Sequence, residues 1–400
     1  MNGLFENLKV IDLASFVAGP CAATIFADFG ADVIKVEAPG GDGYRRLHGN
    51  YPTDYNWNLT SRGKRGIVLD IGTRHGREVL SRMLISTDVL LTNFRDDQLK
   101  KYALDYESLR QDYPALICAQ LTGYGNTGPE KHRRGYDASA WWARSGMMQL
   151  MASTDGDPVF PAGGVGDHSA GMTLFASIMM ALYRRQITGE GGMVETSLMA
   201  SGIWSNGMAI KAAIAGFDIH ATIKKHGSRN PFYSVYRTLD NKHIVLVLTN
   251  AEKEWPQLAA ILGHTEWLED GRFADMQSIM NHMPAFRTLL SVAFAERTLE
   301  DLTVALDSQQ LTFGIAKSPM EVVTDPHAIE AGFLVETKDE NPHCRLTIPS
   351  PIRINNQRQR PPEKPPKLGE HTNEILEELG YSAEAIEQLI ASGGVFNQSH

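Results

Sequence analysis

The chain has 400 residues, of which 42% are hydrophobic, and 38 basic against 47 acidic residues give it a formal net charge of -9. This length is more than one ordinary domain needs, so we expect two domains or one large domain with an insertion. The acidic balance argues against nucleic acid or a polybasic membrane contact as the main partner, so an anionic ligand would depend on local basic groups.

Cysteine usage and apolar runs predict the cellular compartment. The cysteines are odd in number, far apart and without metal-ligand spacing, which is typical of buried thiols in a reducing cytoplasm: Cys21, Cys118 and Cys344. A Gly-Pro pair interrupts the apolar run 13–27, no basic region precedes it, and the run 170–183 is too short to span a bilayer. We therefore expect a cytoplasmic protein with no membrane partner.

The N-terminal segment has the pattern of a βαβ unit. Residues 8–13 form a short apolar run, Gly19-Pro20 opens an apolar helix, and residues 32–37 form a second strand. Such a unit predicts a parallel sheet. Because the turn 14–20 lacks the G-x-G-x-x-G pattern, dinucleotide binding of the Rossmann type is disfavoured.

Further elements continue the α/β pattern. They are a strand ending at residue 70, a helix at about 74–85, and strands at 88–92 and 116–121. Ligands collect at the carboxyl ends of strands in such sheets, which is where Asn93 and Phe94 are placed. The basic run 131–134 is ordinary surface or, if several basic groups border one crevice, a phosphate site.

A glycine-rich segment precedes Asp167, and an apolar helix follows it up to Arg184 and Arg185. We expect Asp167 to be the N-cap residue, whose short carboxylate accepts hydrogen bonds from free amides of the first turn. The positive end of the helix dipole favours the ionised form, which a nucleophile requires. The residues alone leave an ordinary cap and a nucleophile both open. The helix is apolar on nearly every face, so we expect it to be buried.

The composition changes after a strand at 193–197 and a helical stretch to about 217. Two alternating runs, 233–238 and 243–249, predict an antiparallel hairpin. Helices are expected at about 255–262, 284–296 and 299–307, which together with the hairpin predict a separate α+β module. The Pro-rich residues 350–368 predict an extended connector, followed by helices at 372–379, capped by Thr372, and 382–392.

Other catalytic arrangements have weaker support. No histidine falls in H-E-x-x-H or H-x-H, so a metal site is disfavoured. Ser169 lies in a segment one residue short of the G-x-S-x-G of serine hydrolases, but 162–164 is a poor end for the strand that such an elbow needs. Trp141 and Trp142 fit core packing better than the wall of an acyl pocket.

Several segments, in a specific order and spacing, match the motifs of one family over nearly the whole chain. They are 8–13, Val17-Ala-Gly-Pro20, 27–37, Lys64-Arg65 with Leu69-Asp70, Asn93-Phe94, Gly166-Asp167 with Gly171-Met172, and 368–372. Together they resemble the class III CoA-transferases, the family of formyl-CoA:oxalate and carnitine CoA-transferases.

The resemblance implies the fold and the assembly. It implies an α/β protein whose Rossmann-like large domain, with a parallel sheet, is built from both ends of the chain, plus a smaller α+β domain. The expected bounds are 1–200 completed by 330–400 for the large domain, 201–224 for a linker, 225–320 for the small domain, and 321–400 for the return linker and C-terminal part. Two subunits are expected to form an interlocked homodimer.

The resemblance also implies the site residues. The catalytic aspartate of the family matches Asp167. The CoA contacts carried over by motif are Val17, Ala18, Leu69, Asp70, Asn93, Phe94, Lys101 where relatives often have arginine, Arg134 and Tyr136. Amides of the turn 163–166, or those that begin the following helix, are expected to stabilise each oxyanion.

Three features of the sequence depart from the family pattern. Ala38 stands where relatives commonly have a basic residue, which removes one phosphate contact. The glycine-rich loop that shields the aspartate in formyl-CoA transferases is absent, since only 225–230 stands in its place. The Gly-His-Asp motif of the related acyl-CoA racemases reads Gly135-Tyr136-Asp137, so the histidine base is missing and racemisation is disfavoured.

The implied activity is transfer of CoA from an acyl-CoA donor to a small carboxylic acid through an aspartyl anhydride and an aspartyl-CoA thioester. The CoA thioester is a substrate, and no permanently bound cofactor is expected. Alternatives are intramolecular CoA transfer or acyl-CoA racemisation in the same family, a Ser169 thioester hydrolase, and a noncatalytic CoA-binding protein. The segment around Trp141 resembles relatives acting on 2-hydroxy or aryl acids, whereas Arg144, Arg229 or His226 would suit a dicarboxylate.

Overall fold

The computed structural model describes residues 3–47, 50–51, 53–152, 156–219, 221–222 and 230–397. The chain divides into two compact units, the first formed by Met1–Gln149, Val159–Gly207 and Ile329–His400, and the second by Leu150–Pro158 and Met208–Ala328. The domain bounds inferred from the sequence stay a prediction beside this division. Asp167 and all of the predicted CoA contacts belong to the first unit.

A seven-stranded sheet organises the first unit. Its strands are β1 (Lys9–Asp12), β2 (Asp32–Glu37), β3 (Arg65–Leu69), β4 (Val89–Thr92), β5 (Ile117–Thr122), β6 (Gly192–Ser197) and β12 (Val395–Phe396). They lie in the order β12-β3-β2-β1-β4-β5-β6, and all neighbours are parallel except β12, which is antiparallel to β3. The predicted parallel sheet is confirmed. The strand β12 was not predicted, because two residues are too few for an alternating pattern.

The helices of the first unit cover this sheet. They are α1 (Ala18–Asp28), α2 (Tyr55–Ser61), α3 (Arg74–Leu84), α4 (Asp96–Tyr102), α5 (Tyr106–Leu109), α7 (Val165–Thr188), α8 (Leu198–Ser205), α16 (Thr372–Glu378) and α17 (Ala383–Ala391). The first unit also contains three shorter elements: the 3₁₀ turn Gly43–Arg46, the π-helical turn Asp137–Trp142, and a hairpin of β10 (Val335–Glu336) and β11 (Leu346–Thr347).

Both faces of the sheet are buried, which explains why its strands read as nearly continuous apolar runs. Val10 and Leu91 point to one face and pack in a cluster with Phe26 of α1 and Leu174 of α7. The residues next to them point to the other face, where Ile11, Leu90 and Cys118 pack with α3, α16 and α17. The apolar content of each strand is therefore divided between two cores on opposite sides of the sheet.

The second unit has its own sheet and core. Strands β7 (Tyr233–Arg237), β8 (His243–Val247) and β9 (Phe313–Ile315) form an antiparallel sheet, in which the predicted hairpin of β7 and β8 is confirmed. The helices in or at the ends of this unit are α6 (Met147–Met151), α9 (Gly207–Ile214), α10 (Ala251–Leu262), α11 (Met276–Asn281), α12 (Met283–Ala295), α13 (Leu299–Ser308), α14 (Pro319–Val323) and α15 (Pro326–Glu330). Its core centres on large aromatic side chains, among them Trp255, Phe286 and Phe294.

The long helix α7 departs from the prediction of complete burial. Leu174 and Ile178 are fully buried, whereas Met180, Tyr183 and Ile187 are 74%, 68% and 68% exposed. These three exposed residues are spaced three and four apart, so they lie on one side of the helix. In the single chain only the opposite side of α7 is packed. We call Met180, Tyr183 and Ile187 the α7 stripe.

The two C-terminal helices agree with the prediction within one residue at every end, but the predicted cap of the first one is wrong. The N-cap of α16 is His371, whereas Thr372 was predicted. The Thr372 hydroxyl instead donates a hydrogen bond to the Phe396 carbonyl oxygen at 3.0 Å and so fastens β12. No helix within the described ranges is both long and apolar enough to cross a bilayer.

Candidate active site

Asp167 lies in the first turn of α7, and the prediction that it is the N-cap residue is wrong. The helix begins earlier because Gly164, with φ of 85°, takes the cap position in the left-handed conformation that glycine adopts without strain. Asp137 does what a capping side chain would do, since its Oδ2 accepts a hydrogen bond from the Gly164 amide at 2.7 Å. The carboxylate that caps α7 therefore comes from another element, and Asp167 is left for another role.

Close packing at Gly166 fixes the position of Asp167 relative to the π-helical turn. A Cβ at Gly166 would lie 2.2 Å from Asp137 Oδ1 and 2.4 Å from the Trp141 ring, so only glycine fits. Trp141 and Trp142 are themselves buried, in agreement with core packing. Turns of π-helix occur frequently at functional sites, and this one supplies the residues that hold the beginning of α7.

The electrostatics of Asp167 differ from the prediction that its ionised form is favoured. Burial, and after it the negative charge of Asp137, raise the pKa of Asp167 from the ordinary 3.8 to about 7. The helix dipole was expected to lower this pKa, but loss of solvent and a like charge outweigh it. Burial raises the pKa of Asp137 as well, although the Gly164 amide opposes this. Among the residues described, no amide or side chain donates a hydrogen bond to the Asp167 carboxylate.

The turn that the motif assigns to CoA lies against α7. A Cβ at Gly171 would lie 2.6 Å from the Ala18 carbonyl oxygen and 3.1 Å from Cys21 Cβ, so the two helices approach closely there. One helical turn before this contact, the His168 Nδ1 is 3.2 Å from the Cys21 sulfur. The structure thus brings Val17 and Ala18 close to the helix that carries Asp167. Their side chains are buried, so only their backbone can contact a ligand.

Asn93, at the carboxyl end of β4, is already hydrogen bonded within the protein. Its Oδ1 accepts from the Ser15 amide at 3.1 Å, and its Nδ2 donates to the Ser15 carbonyl oxygen at 2.9 Å. Gln120 Nε2 donates to the carbonyl oxygen of the neighbouring Phe94 at 2.7 Å. The Asn93 amide therefore holds the β1–α1 turn, and its predicted direct contact with CoA competes with these two hydrogen bonds.

The remaining predicted contacts differ in availability. Leu69 belongs to the core, and Asp70 Oδ1 accepts from the Gly72 amide at 2.9 Å. Lys101 is exposed, with its ammonium 5.0 Å from the centre of the Tyr102 ring. Arg134 is exposed, and Tyr136, 60% exposed, precedes Asp137 directly. The structure therefore places Ala18 against the helix that carries Asp167, and Tyr136 next to the residue that caps this helix, while Leu69 is turned into the core.

Other candidates from the sequence are less suited to chemistry. Ser169 lies inside α7 rather than at a strand-to-helix elbow, and its Oγ is 3.2 Å from the Oγ atoms of Ser201 and Ser205. Arg144 pairs with Glu130 and lies over the Tyr124 ring. His226 and Arg229 lie outside the described residues. Within the described part of the chain, no group of three or more His, Cys, Asp or Glu residues could hold a metal ion.

Two site residues had no role in the sequence interpretation. In the sequence Asp137 is only the last residue of an altered racemase motif, because the amide that it binds at the start of α7 lies 27 positions away. Phe16 directly precedes the predicted contacts Val17 and Ala18, but nothing in the sequence shows its left-handed φ of 65°. The Gly164 amide is used by Asp137, so the turn 163–166 offers fewer donors to an oxyanion than expected.

Comparison with known proteins identifies the family of the chain. The family model described as CoA-transferase family III matches residues 5–372. The chain is 31% identical over 389 residues to (R)-2-hydroxy-4-methylpentanoate CoA-transferase of Clostridioides difficile, covering 96% of this chain and 97% of that one. It is 32% identical over 386 residues to succinate–glutarate CoA-transferase of Agrobacterium fabrum, covering 94% and 95%. The crystal structure of a CAIB/BAIF family protein from Brucella suis superposes with a TM-score of 0.82 at 28% identity, covering 95% of this chain and 100% of that one.

Proposed function

Because the chain belongs to CoA-transferase family III, we propose that it moves CoA from an acyl-CoA donor to a small carboxylic acid with Asp167 as the nucleophile. One observation carries the proposal. A carboxyl group without a hydrogen-bond donor among the described residues, and with a pKa raised to about 7, stands at the start of α7 beside the turn that the family motif assigns to CoA. Such a group can attack an electrophile without first losing strong partners.

The first half of the reaction attaches the protein to CoA. An oxygen of the Asp167 carboxylate attacks the thioester carbonyl carbon, the carbon–sulfur bond breaks, and the CoA thiolate leaves, giving a mixed anhydride. The thiolate then attacks the Asp167 carbonyl carbon of this anhydride. The bond to the bridging oxygen breaks, the first acid departs as its carboxylate, and an aspartyl-CoA thioester remains.

The second half repeats these steps in reverse with the acceptor. Its carboxylate attacks the aspartyl thioester and releases the thiolate, which then attacks the acceptor carbonyl carbon of the new anhydride. The products are the new acyl-CoA and the restored Asp167 carboxylate. Charge is conserved in each step, because one carboxylate or thiolate is consumed and another is formed.

The two relatives named above act, by their names, on a branched 2-hydroxy acid and on dicarboxylic acids. We propose CoA thioesters of small carboxylic acids as donors here, and free small carboxylic acids as acceptors. Racemisation has less support, because Tyr136 occupies the position of the racemase histidine and a phenol is a weak base at neutral pH.

A panel of acyl-CoAs and free acids, with mass spectrometry of the thioesters formed, tests the proposal. New acyl-CoA should appear only when an acceptor acid is present. Asp167→Ala should abolish transfer while CoA still binds, and the matched variant Ser169→Ala should retain transfer. Hydroxylamine added during turnover should mark Asp167. Release of free CoA without an acceptor, loss of activity in Ser169→Ala alone, or binding without turnover would each contradict the proposal.

We also propose a homodimer, because the α7 stripe is an apolar surface that a second copy would cover. Met180→Arg should weaken the dimer in size-exclusion chromatography with light scattering. Ile85→Arg, at an equally exposed position at the end of α3, should not. A wild-type monomer would refute this assembly.

The free thiols of Cys21, Cys118 and Cys344 support a reducing cytoplasm as the location of the protein.

A further inference from the structure

Phe16 has a backbone conformation that is unusual for an aromatic residue. It lies in the turn between β1 and α1 with φ of 65°, in the left-handed region. Residues with a Cβ rarely adopt this region, because it brings the Cβ close to the backbone. Such a conformation persists only where the surrounding structure holds it, and strain of this kind clusters at functional sites. Two side chains hold it here.

Both side chains bind the backbone of the turn. The Asn93 side chain accepts a hydrogen bond from the Ser15 amide and donates one to the Ser15 carbonyl oxygen. The Phe16 amide donates to both oxygens of Asp42, each at 3.2 Å. Asp42 is only 5% exposed and also accepts from the Tyr44 amide at 2.9 Å. Consecutive amides of the turn are thus fixed from two directions.

A buried lysine in turn holds Asp42. Lys35, 1% exposed, places its ammonium 3.1 Å from Asp42 Oδ2 and donates to the Ala14 carbonyl oxygen. It also lies 3.9 Å from Asp12, which pairs with the buried Lys64 at 2.8 Å. Two ammonium groups and two carboxylates therefore balance each other away from solvent. Displacing any one of them leaves a buried charge unpaired, which is strongly unfavourable, so Asp42 has little freedom to move.

This arrangement directs the Phe16 ring toward the site. The ring centre is 5.5 Å from that of Tyr136, nearly edge-on, and 6.5 Å from that of Tyr44. Tyr136 precedes Asp137, whose carboxylate holds the start of α7. Burial, and after it the negative charge of Asp167, raise the pKa of Tyr44 to about 12. Phe16, Tyr44 and Tyr136 form what we call the aromatic wall.

We infer that Phe16 determines acyl specificity, because its ring, fixed by Asp42 and Lys35, packs against the apolar part of the acyl group when the thioester carbon is at Asp167. This inference rests on the proposed function and deepens it by naming the substrate class, thioesters of carboxylic acids with an apolar side chain. Asp42 and Lys35 are positioning residues that act through Phe16. The partly exposed face of the ring is apolar surface that an acyl side chain would cover and an acetyl group would leave in water.

Selectivity between two donors tests the inference. Phe16→Gly removes the ring and suits the positive φ, so the turn can keep its path. It should lower kcat/KM for isovaleryl-CoA about tenfold more than for acetyl-CoA, as expected for loss of roughly one buried apolar contact. The dissociation constant of free CoA should stay within about threefold of the wild-type value, since a ring that meets only the acyl group does not contact CoA itself.

A matched glycine pair tests the position of the ring without removing it. A Cβ at Gly43 would lie 3.2 Å from Phe16 Cζ, whereas nothing lies within 4 Å of one at Gly40. Gly43→Ala should therefore reduce the same selectivity by a smaller factor, and Gly40→Ala should leave it unchanged. Equal losses of kcat/KM for both donors in Phe16→Gly, or a higher kcat/KM of this variant for isovaleryl-CoA, would overturn the inference. Weaker binding of free CoA would also overturn it, since the ring would then meet the carrier.

The inference and the proposed function fail in distinguishable ways. If the wild-type protein transfers CoA between no pair of acids, the proposed function fails. The aromatic wall can still be tested by calorimetry, with the unreactive thioethers S-ethyl-CoA and S-isopentyl-CoA as probes. S-isopentyl-CoA should bind the wild-type protein more tightly than S-ethyl-CoA, and Phe16→Gly should remove this preference. Equal binding of both thioethers to the wild-type protein would overturn the inference.

Discussion

The raised pKa of Asp167 predicts that the wild-type protein loses stability relative to Asp167→Asn as the pH rises through a defined window. The unfolded chain releases this proton near the ordinary pKa of 3.8, whereas the folded protein retains it up to about 7. Between these values the folded state binds more protons than the unfolded state, so stability falls as the pH rises. The asparagine does not titrate, so the stability of the variant should lack the contribution to this fall that comes from residue 167.

The size of the effect follows from the two pKa values. At 1.36 kcal/mol for each tenfold change in proton affinity, a rise from 3.8 to about 7 corresponds to a cost of roughly 4 kcal/mol once the group is fully ionised in both states. About 1.5 kcal/mol of this is already present near pH 5, which leaves an upper limit of about 2 to 3 kcal/mol between about pH 5 and about pH 8. Because the carboxyl is only partly buried, we expect the loss of stability between these two pH values to be about 1 to 2 kcal/mol.

Calorimetric unfolding of both proteins at about pH 5 and about pH 8 measures this difference. The variant should gain a few degrees in Tm over the wild-type protein on going to the higher pH. Ser169→Asn, two residues further along the same helix, controls for a general effect of the substitution and should show no such pH dependence. A Tm difference between Asp167→Asn and wild type that is the same at both pH values would refute the assignment of a raised pKa.

The remaining predictions concern the surroundings of this carboxyl group. kcat/KM should rise with pH with a midpoint near 7, because the carboxylate is the reactive form, and Asp137→Asn should lower the midpoint in a pH–rate profile. Gly166→Ala should lower kcat at least about tenfold in steady-state assays, because its Cβ would overlap Asp137 and Trp141, while Gly163→Ala, whose Cβ meets nothing within 4 Å, should not. Asn93→Ala should weaken CoA binding about tenfold in calorimetry, because the Ser15 peptide loses both hydrogen bonds.

Much of the fold was predictable because its strands are short apolar runs with clear ends. The strands at 9–12, 32–37 and 89–92 were expected within one residue at each end, and the parallel pairing of β1 with β2 followed from the helix that connects them. The hairpin at 233–247 followed from alternation alone. Elements without a repeating pattern, such as β12 and the hairpin of β10 and β11, could not be predicted, since residues distant in sequence decide whether two residues pair.

The site was predictable in its position but not in its electrostatics. The motif placed a carboxyl group at the start of α7, but the sequence alone could not show that Asp137 caps the helix, because the contact joins residues 27 positions apart. The burial and the like charge that raise the pKa of Asp167 depend on that same contact. Likewise, the α7 stripe was expected to be buried because the sequence shows how apolar a helix is and not whether the same chain or a second copy covers it.

The raised pKa of Asp167 is consistent with its proposed role when both of its effects are given magnitudes. At about pH 7 roughly half of the molecules carry the proton and cannot attack, which costs a factor of about two in rate. The ionised form, however, is less stable by up to roughly 4 kcal/mol than a carboxylate in water, and this penalty disappears as the oxygen bonds to the thioester carbon and its charge is neutralised. Even a quarter of that penalty, expressed in the transition state, would raise the rate about fivefold. The gain therefore exceeds the loss, whereas a true N-cap position, with hydrogen bonds stabilising the carboxylate, would have reversed the balance.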